Sequence, residues 1–182
     1  MKRHAVLACV LSLVAVGCDK SINPLVPSGV VTLVAQLSGA SNVPPAGSLE
    51  AAANGTIQLV MTPAAAAGDY TGVLTLRLAG LATKATTVAA GLPAPLNDGS
   101  VIVAGYIHSG AAGTLGAPVL SLPISQTAPL FSPTGTVLVT MKGISVPAAT
   151  AAAILANPAG FYFNLYSALN QNGVMRGQLI RQ

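Results

Sequence analysis

The sequence predicts an all-β fold, an antiparallel Greek-key-like β-sandwich of about eight strands, and three observations predict it. From Val30 onward apolar side chains recur with a period of two, the spacing of half-buried strands. Turn-forming clusters punctuate these runs: Pro44-Pro45, Asn54-Gly55, Gly68-Asp69, Asn97-Asp98-Gly99 and Asn172-Gly173. Only one stretch, rich in alanine and placed before the last strand pair, breaks the alternation in favour of a helix.

The first strand places Val31, Leu33, Ala35 and Leu37 on one face, with Thr32 and Gln36 opposite. In the second, Ile57, Leu59 and Met61 alternate with Gln58, Val60 and Thr62; in the third, Leu74, Leu76 and Leu78 alternate with Thr75 and Arg77. Residues 82 to 100 have weak periodicity and read as a long excursion. Strands are then expected at Val101 to His108, Val119 to Ile124, Thr136 to Lys142, Phe161 to Ser167 and Val174 to Arg181. Between the third and fourth of these, Pro147 to Ala156 reads as a short helix, with Pro at its start and Asn157-Pro158 as its stop. The Gly-rich run from Gly110 to Gly116 follows a strand but lacks the Lys-Ser/Thr of a phosphate-binding loop, so it is read as a turn with unusual backbone angles.

The N-terminus has a different character. A basic start, Met1 to His4, precedes an uncharged run from Ala5 to Gly17. As a helix this run reaches roughly 20 Å, short of a hydrocarbon core of about 30 Å, so residues 1–17 read as an export signal. Its end, Leu13 to Cys18, resembles a bacterial lipobox, with Ala15 where that motif more often has Leu. The resemblance implies lipidation of Cys18, a flexible tether over residues 18–29, and a domain over residues 30–182 at the cell envelope, facing the periplasm or exterior. Asp19 resembles the residue that retains some proteobacterial lipoproteins at the inner membrane.

Without residues 1–17, six cations (Lys20, Arg77, Lys84, Lys142, Arg176, Arg181) stand against four acids (Asp19, Glu50, Asp69, Asp98), a net charge of +2. The cations are scattered, whereas nucleic-acid binding needs a basic stripe; no nucleic-acid partner is expected. Cys9 leaves with the signal and Cys18 takes the lipid, so the domain is expected to hold together by packing, without a disulfide.

Three blocks, in order, resemble the CHRD domain. They are Leu37 to Pro45; Tyr106 to Gly113, followed by Gly116-Ala117-Pro118-Val119; and Gly160 to Ser167 with Asn170, Gly173 and Arg176-Gly177-Gln178-Leu179. The resemblance covers about residues 30–182 and implies an exported β-sandwich. Its pattern usually has His-Ile-His in the second block and a further His late in the last. Here Tyr106 and Tyr166 take two of those places and only His108 remains. Three imidazoles on neighbouring strands would suit a metal ion; this chain cannot supply them, and no metal or cofactor is expected.

No catalytic residue is assigned. His108 reads chiefly as a histidine hydrogen-bonded within the sheet or its adjoining loop, and secondarily as a binding contact. Arg176 reads as a partly buried guanidinium bridging backbone carbonyls or a loop acid such as Glu50 or Asp69, or as a ligand contact. Tyr162, Asn164 and Tyr166 share a strand face opposite Phe161, Phe163 and Leu165. That polar face is either covered by the other sheet or the helix, or is an adhesive, sugar-stacking surface. The expectation is a lipid-anchored, non-catalytic binding or structural module whose partners are the membrane, through its lipid, and an envelope protein or glycan. The alternative is a metal-dependent or redox enzyme derived from a His-rich relative.

Overall fold

The computed structural model describes residues 29–47, 49–66, 68–82 and 100–182. The export signal, Cys18 and Asp19, nearly all of the tether, and the excursion before the fourth strand lie outside the described residues.

The strands are β1 (Val31–Ser38), β2 (Asn54–Pro63), β3 (Tyr70–Ala79), β4 (Ser100–Ser109), β5 (Pro118–Ser121), β6 (Leu130–Ser132), β7 (Val137–Val146), β8 (Phe161–Ser167), β9 (Met175–Gln178) and β10 (Ile180–Arg181). One helix, α1 (Ala148–Ala156), lies between β7 and β8. All strand pairings among the described residues are antiparallel, in the order β5-β4-β8-β9-β1-β2-β3-β7, with β6 on β4 and β10 on β1. The fold is all-β and sandwich-like. One apolar cluster joins Leu33, Leu59 and Leu74 from one half of the sheet to Ile107, Phe163 and Leu165 from the other, so the core lies between the two halves.

The alternation carries this core. Every second residue of β1 to β3 named above is buried, from Val31 through Leu78. Four elements differ from the sequence reading, one of them the expected strand from Val174 to Arg181, which breaks at Leu179 into β9 and β10. Asn54-Gly55 opens β2 instead of turning, because Gly55 is clamped between strands: a Cβ there would lie 2.3 Å from the Arg77 carbonyl oxygen. β5 stops at Ser121, two residues before Pro123, which has no N–H for the ladder. β7 runs on to Val146 through a register shift opposite Gly72 and Leu74, which moves the buried residues from Val137 to Ile144 and Val146. β6 is additional: three residues between Pro129 and Pro133, too few to show a period.

Helix α1 starts one residue after Pro147 and turns Ala151, Ile154 and Leu155 inward. Pro147 offers no side-chain cap. The cap comes from the β2–β3 turn, where Asp69 Oδ1 accepts from the Ala148 N–H at 2.7 Å.

Candidate functional site

Three strands build the candidate site. β4 presents Tyr106 and His108, β8 presents Tyr162, Asn164 and Tyr166, and β9 presents Arg176 and Gln178. Their register sets His108 opposite Tyr162, Tyr106 opposite Asn164, and Asn164 opposite Arg176. All the predicted binding residues of the domain therefore gather on one face, opposite the core face formed by Ile107, Phe163 and Leu165.

What covers that face is neither the other half of the sheet nor the helix. It is the Gly-rich β4–β5 connection, residues 110–117, and the site side chains hold it down. His108 Nδ1 lies 2.9 Å from the Gly116 carbonyl oxygen, and the Tyr162 hydroxyl accepts from the Gly116 N–H at 3.1 Å. Arg176 Nη2 donates to the Ala111 carbonyl at 2.8 Å, and Gln178 Nε2 to the Gly110 and Ala159 carbonyls, each at 2.7 Å. The connection turns through positive φ at Gly110 and Gly113 (139° and 78°), as the sequence reading expected of it. Gly116 must also be glycine, because a Cβ there would lie 1.5 Å from the Ser109 carbonyl oxygen.

Beneath this cover the aromatic groups pack closely. His108 stacks on Tyr162 with centroids 5.1 Å apart and planes 8° from parallel. The Arg176 guanidinium carbon sits 3.4 Å from the Tyr162 ring centroid, a cation–π contact on a desolvated cation. Arg176 is thus held by a carbonyl and a ring. The two acids considered for it are engaged elsewhere: Asp69 caps α1, and buried Glu50 accepts from Ser167 Oγ and Asn170 Nδ2 (2.5 and 2.6 Å). Burial pushes the guanidinium below its ordinary value, opposed by the neighbouring Tyr162 and Tyr166.

The tautomer of His108 follows from its partners. A carbonyl oxygen only accepts, so Nδ1 carries the proton toward Gly116. In the neutral ring Nε2 then accepts from the Tyr166 hydroxyl at 3.1 Å, and that hydroxyl accepts in turn from Asn164 Nδ2 at 3.0 Å. Burial raises the Tyr166 phenol above its ordinary value of 10.0, against the lowering effect of the Asn164 hydrogen bond. Both imidazole nitrogens are thus engaged, Nδ1 by a backbone carbonyl and Nε2 by a phenol.

Tyr106, His108 and Tyr166 stand where the resemblance pattern has three histidines, and they do converge. Their ring centroids are 5.8 Å (Tyr106–His108), 5.7 Å (Tyr106–Tyr166) and 6.2 Å (His108–Tyr166) apart. The residues present do not fit a three-imidazole metal site, since two are phenols and the imidazole nitrogens already have partners. Among the described residues no three His, Cys, Asp or Glu side chains gather to hold a metal ion.

The CHRD domain family description matches residues 33–179, which includes every strand of this site and most of the chain. The chain belongs to the CHRD domain family. No curated protein and no solved structure matches it. Within this CHRD domain, Tyr162 and Asn164 are buried, and the side of the site that opens to solvent is the Tyr106–Tyr166 end. There the two rings meet edge to face in a recess of about 480 Å³, whose walls include Ser125, Gln126 and Gln171. The sequence reading did not single out this recess, Gln178 or Asn42. Tyr106 and Gln178 stand two residues from His108 and Arg176 on their strands, so alternation places them on the same face; the recess and Asn42 depend on the folding of loops, which no local period reports.

Proposed function

We propose that this CHRD domain is an exported, lipid-anchored binding module without catalytic activity, and that its ligand is a neutral, hydroxyl-rich surface such as an envelope glycan. The observation that supports the ligand class is the recess at Tyr106 and Tyr166. Two aromatic edges flanked by a serine and two glutamines give apolar stacking area plus uncharged donors and acceptors, the complement of a sugar ring. The lipobox resemblance at Leu13 to Cys18 supports the anchor.

Two experiments test the two halves. A glycan array probed with the exported protein is expected to give reproducible binding that Tyr106→Ala reduces about tenfold or more; no bound glycan, or equal binding by the variant, argues against the recess. Cys18→Ser is expected to move the protein from the membrane to the soluble fraction, because durable attachment needs at least two acyl chains. A variant that stays with the membrane would remove the anchor from this reading.

A further inference from the structure

A second cavity, of about 330 Å³, lies on the β9 side of the site between the 40–43 segment and the 111–113 turn, against Arg176 and Gly177. Two polar residues of its lining are buried yet incompletely partnered: Arg176 (2% exposed) has no partner for Nη1, and Asn42 (3% exposed) has none for either amide atom. Next to them, Asn164 (5% exposed) leaves Oδ1 unpartnered; a Cβ built on Gly173 would touch both Asn42 and Asn164. Buried polar atoms are otherwise almost always satisfied, because a bare one forfeits its hydration with nothing in return. Four such atoms in one neighbourhood call for an external partner. Arg176 also has no carboxylate in ion-pair range among the described residues, so its buried charge is compensated only by the Tyr162 ring and one carbonyl.

We propose that this cavity binds a small hydroxy-carboxylate, such as an acidic sugar. The unpartnered set contains two donor groups, Arg176 Nη1 and Asn42 Nδ2, and two acceptors, Asn42 Oδ1 and Asn164 Oδ1. A carboxylate answers the donors and supplies the missing negative charge; adjacent hydroxyls answer the acceptors. The unpartnered atoms are sealed from solvent, so the ligand reaches them by displacing the exposed Ala112–Gly113 wall. This site goes beyond the Tyr106–Tyr166 recess, shares no lining residue with it, and fails or stands separately.

The test is titration of D-glucuronate into the full chain in detergent, read by NMR amide shifts. Saturable shifts are expected at Gly113, Gly177 and the Asn42 side-chain amide. D-Glucose, the same ring without the carboxylate, is expected to bind about tenfold or more weakly. Asn42→Ala should weaken glucuronate binding by a similar factor without lowering the unfolding midpoint, since neither amide atom loses a partner. Asn42→Asp, which gives Arg176 an internal counter-charge, should abolish binding while the chain stays folded. D-Glycerate separates the sources: binding as tight as glucuronate indicates a free hydroxy acid, weaker binding a sugar acid. Absence of saturable shifts at millimolar glucuronate, equal binding of glucose, or unchanged affinity in both Asn42 variants overturns the proposal.

Discussion

Tyr166 stands where the buried and open parts of the site meet. Its hydroxyl donates to His108 Nε2 and accepts from Asn164 Nδ2, while its ring borders the recess with Tyr106. Removing only the oxygen strands two partly buried groups at once. Tyr166→Phe is therefore expected to cost about 1–3 kcal/mol, measured as a lower urea midpoint at neutral pH. The same residue gives a pH signature. Burial favours the neutral phenol in the folded chain, whereas the unfolded phenol loses its proton near the ordinary 10.0. The contribution is thus complete below about pH 10 and is lost as pH rises through the higher folded value. Tyr166→Phe should flatten the alkaline fall in unfolding midpoint; an equally steep fall in the variant would place the titrating group elsewhere.

Helix α1 shows why an element can be legible while its support is not. Pro147 and Asn157-Pro158 bracket it in sequence, and the bracket holds to within one residue. Its cap, however, is Asp69, contributed across the fold by the β2–β3 turn. Asp69→Ala is expected to cost about 1 kcal/mol by urea denaturation, and Asp69→Asn, which keeps an acceptor, appreciably less. The strands follow the same division. Their alternation is local and predicts which faces of β1, β2 and β3 are buried. The register shift in β7 and the pairing of β6 depend on partner strands, which a period cannot report. The site divides likewise: alternation groups Tyr162, Asn164 and Tyr166, but the cover over them is a distant, glycine-rich loop. Neither of the anticipated covers accounts for the burial of Tyr162 and Asn164, because the hydrogen bonds that seat the loop come from three different strands.

At the scale of the whole molecule, the domain is closed by its two ends. Both cysteines precede the described domain, so no disulfide ties Val31 to Gln182. Instead β10 pairs with β1 at Val34–Ile180 and Leu33–Arg181, and the Gln182 N–H donates to the Thr32 carbonyl at 3.0 Å. Between β9 and β10 sits Leu179, fully buried in the core cluster, with its N–H on the Phe161 carbonyl at 2.9 Å. The closing strand and the closing side chain make separable contributions. Ile180 is more than half exposed (57%), so removal of Ile180–Gln182 takes away a short edge ladder and little buried area; a loss of about 1 kcal/mol is expected from its few hydrogen bonds. Leu179→Ala instead opens a hole in the core cluster, and the expected loss is about 2–5 kcal/mol. Urea midpoints of the two variants, compared with the intact chain, decide between closure by packing and closure by pairing. Equal losses, or a larger loss from the truncation, would assign the closure to the β1–β10 ladder.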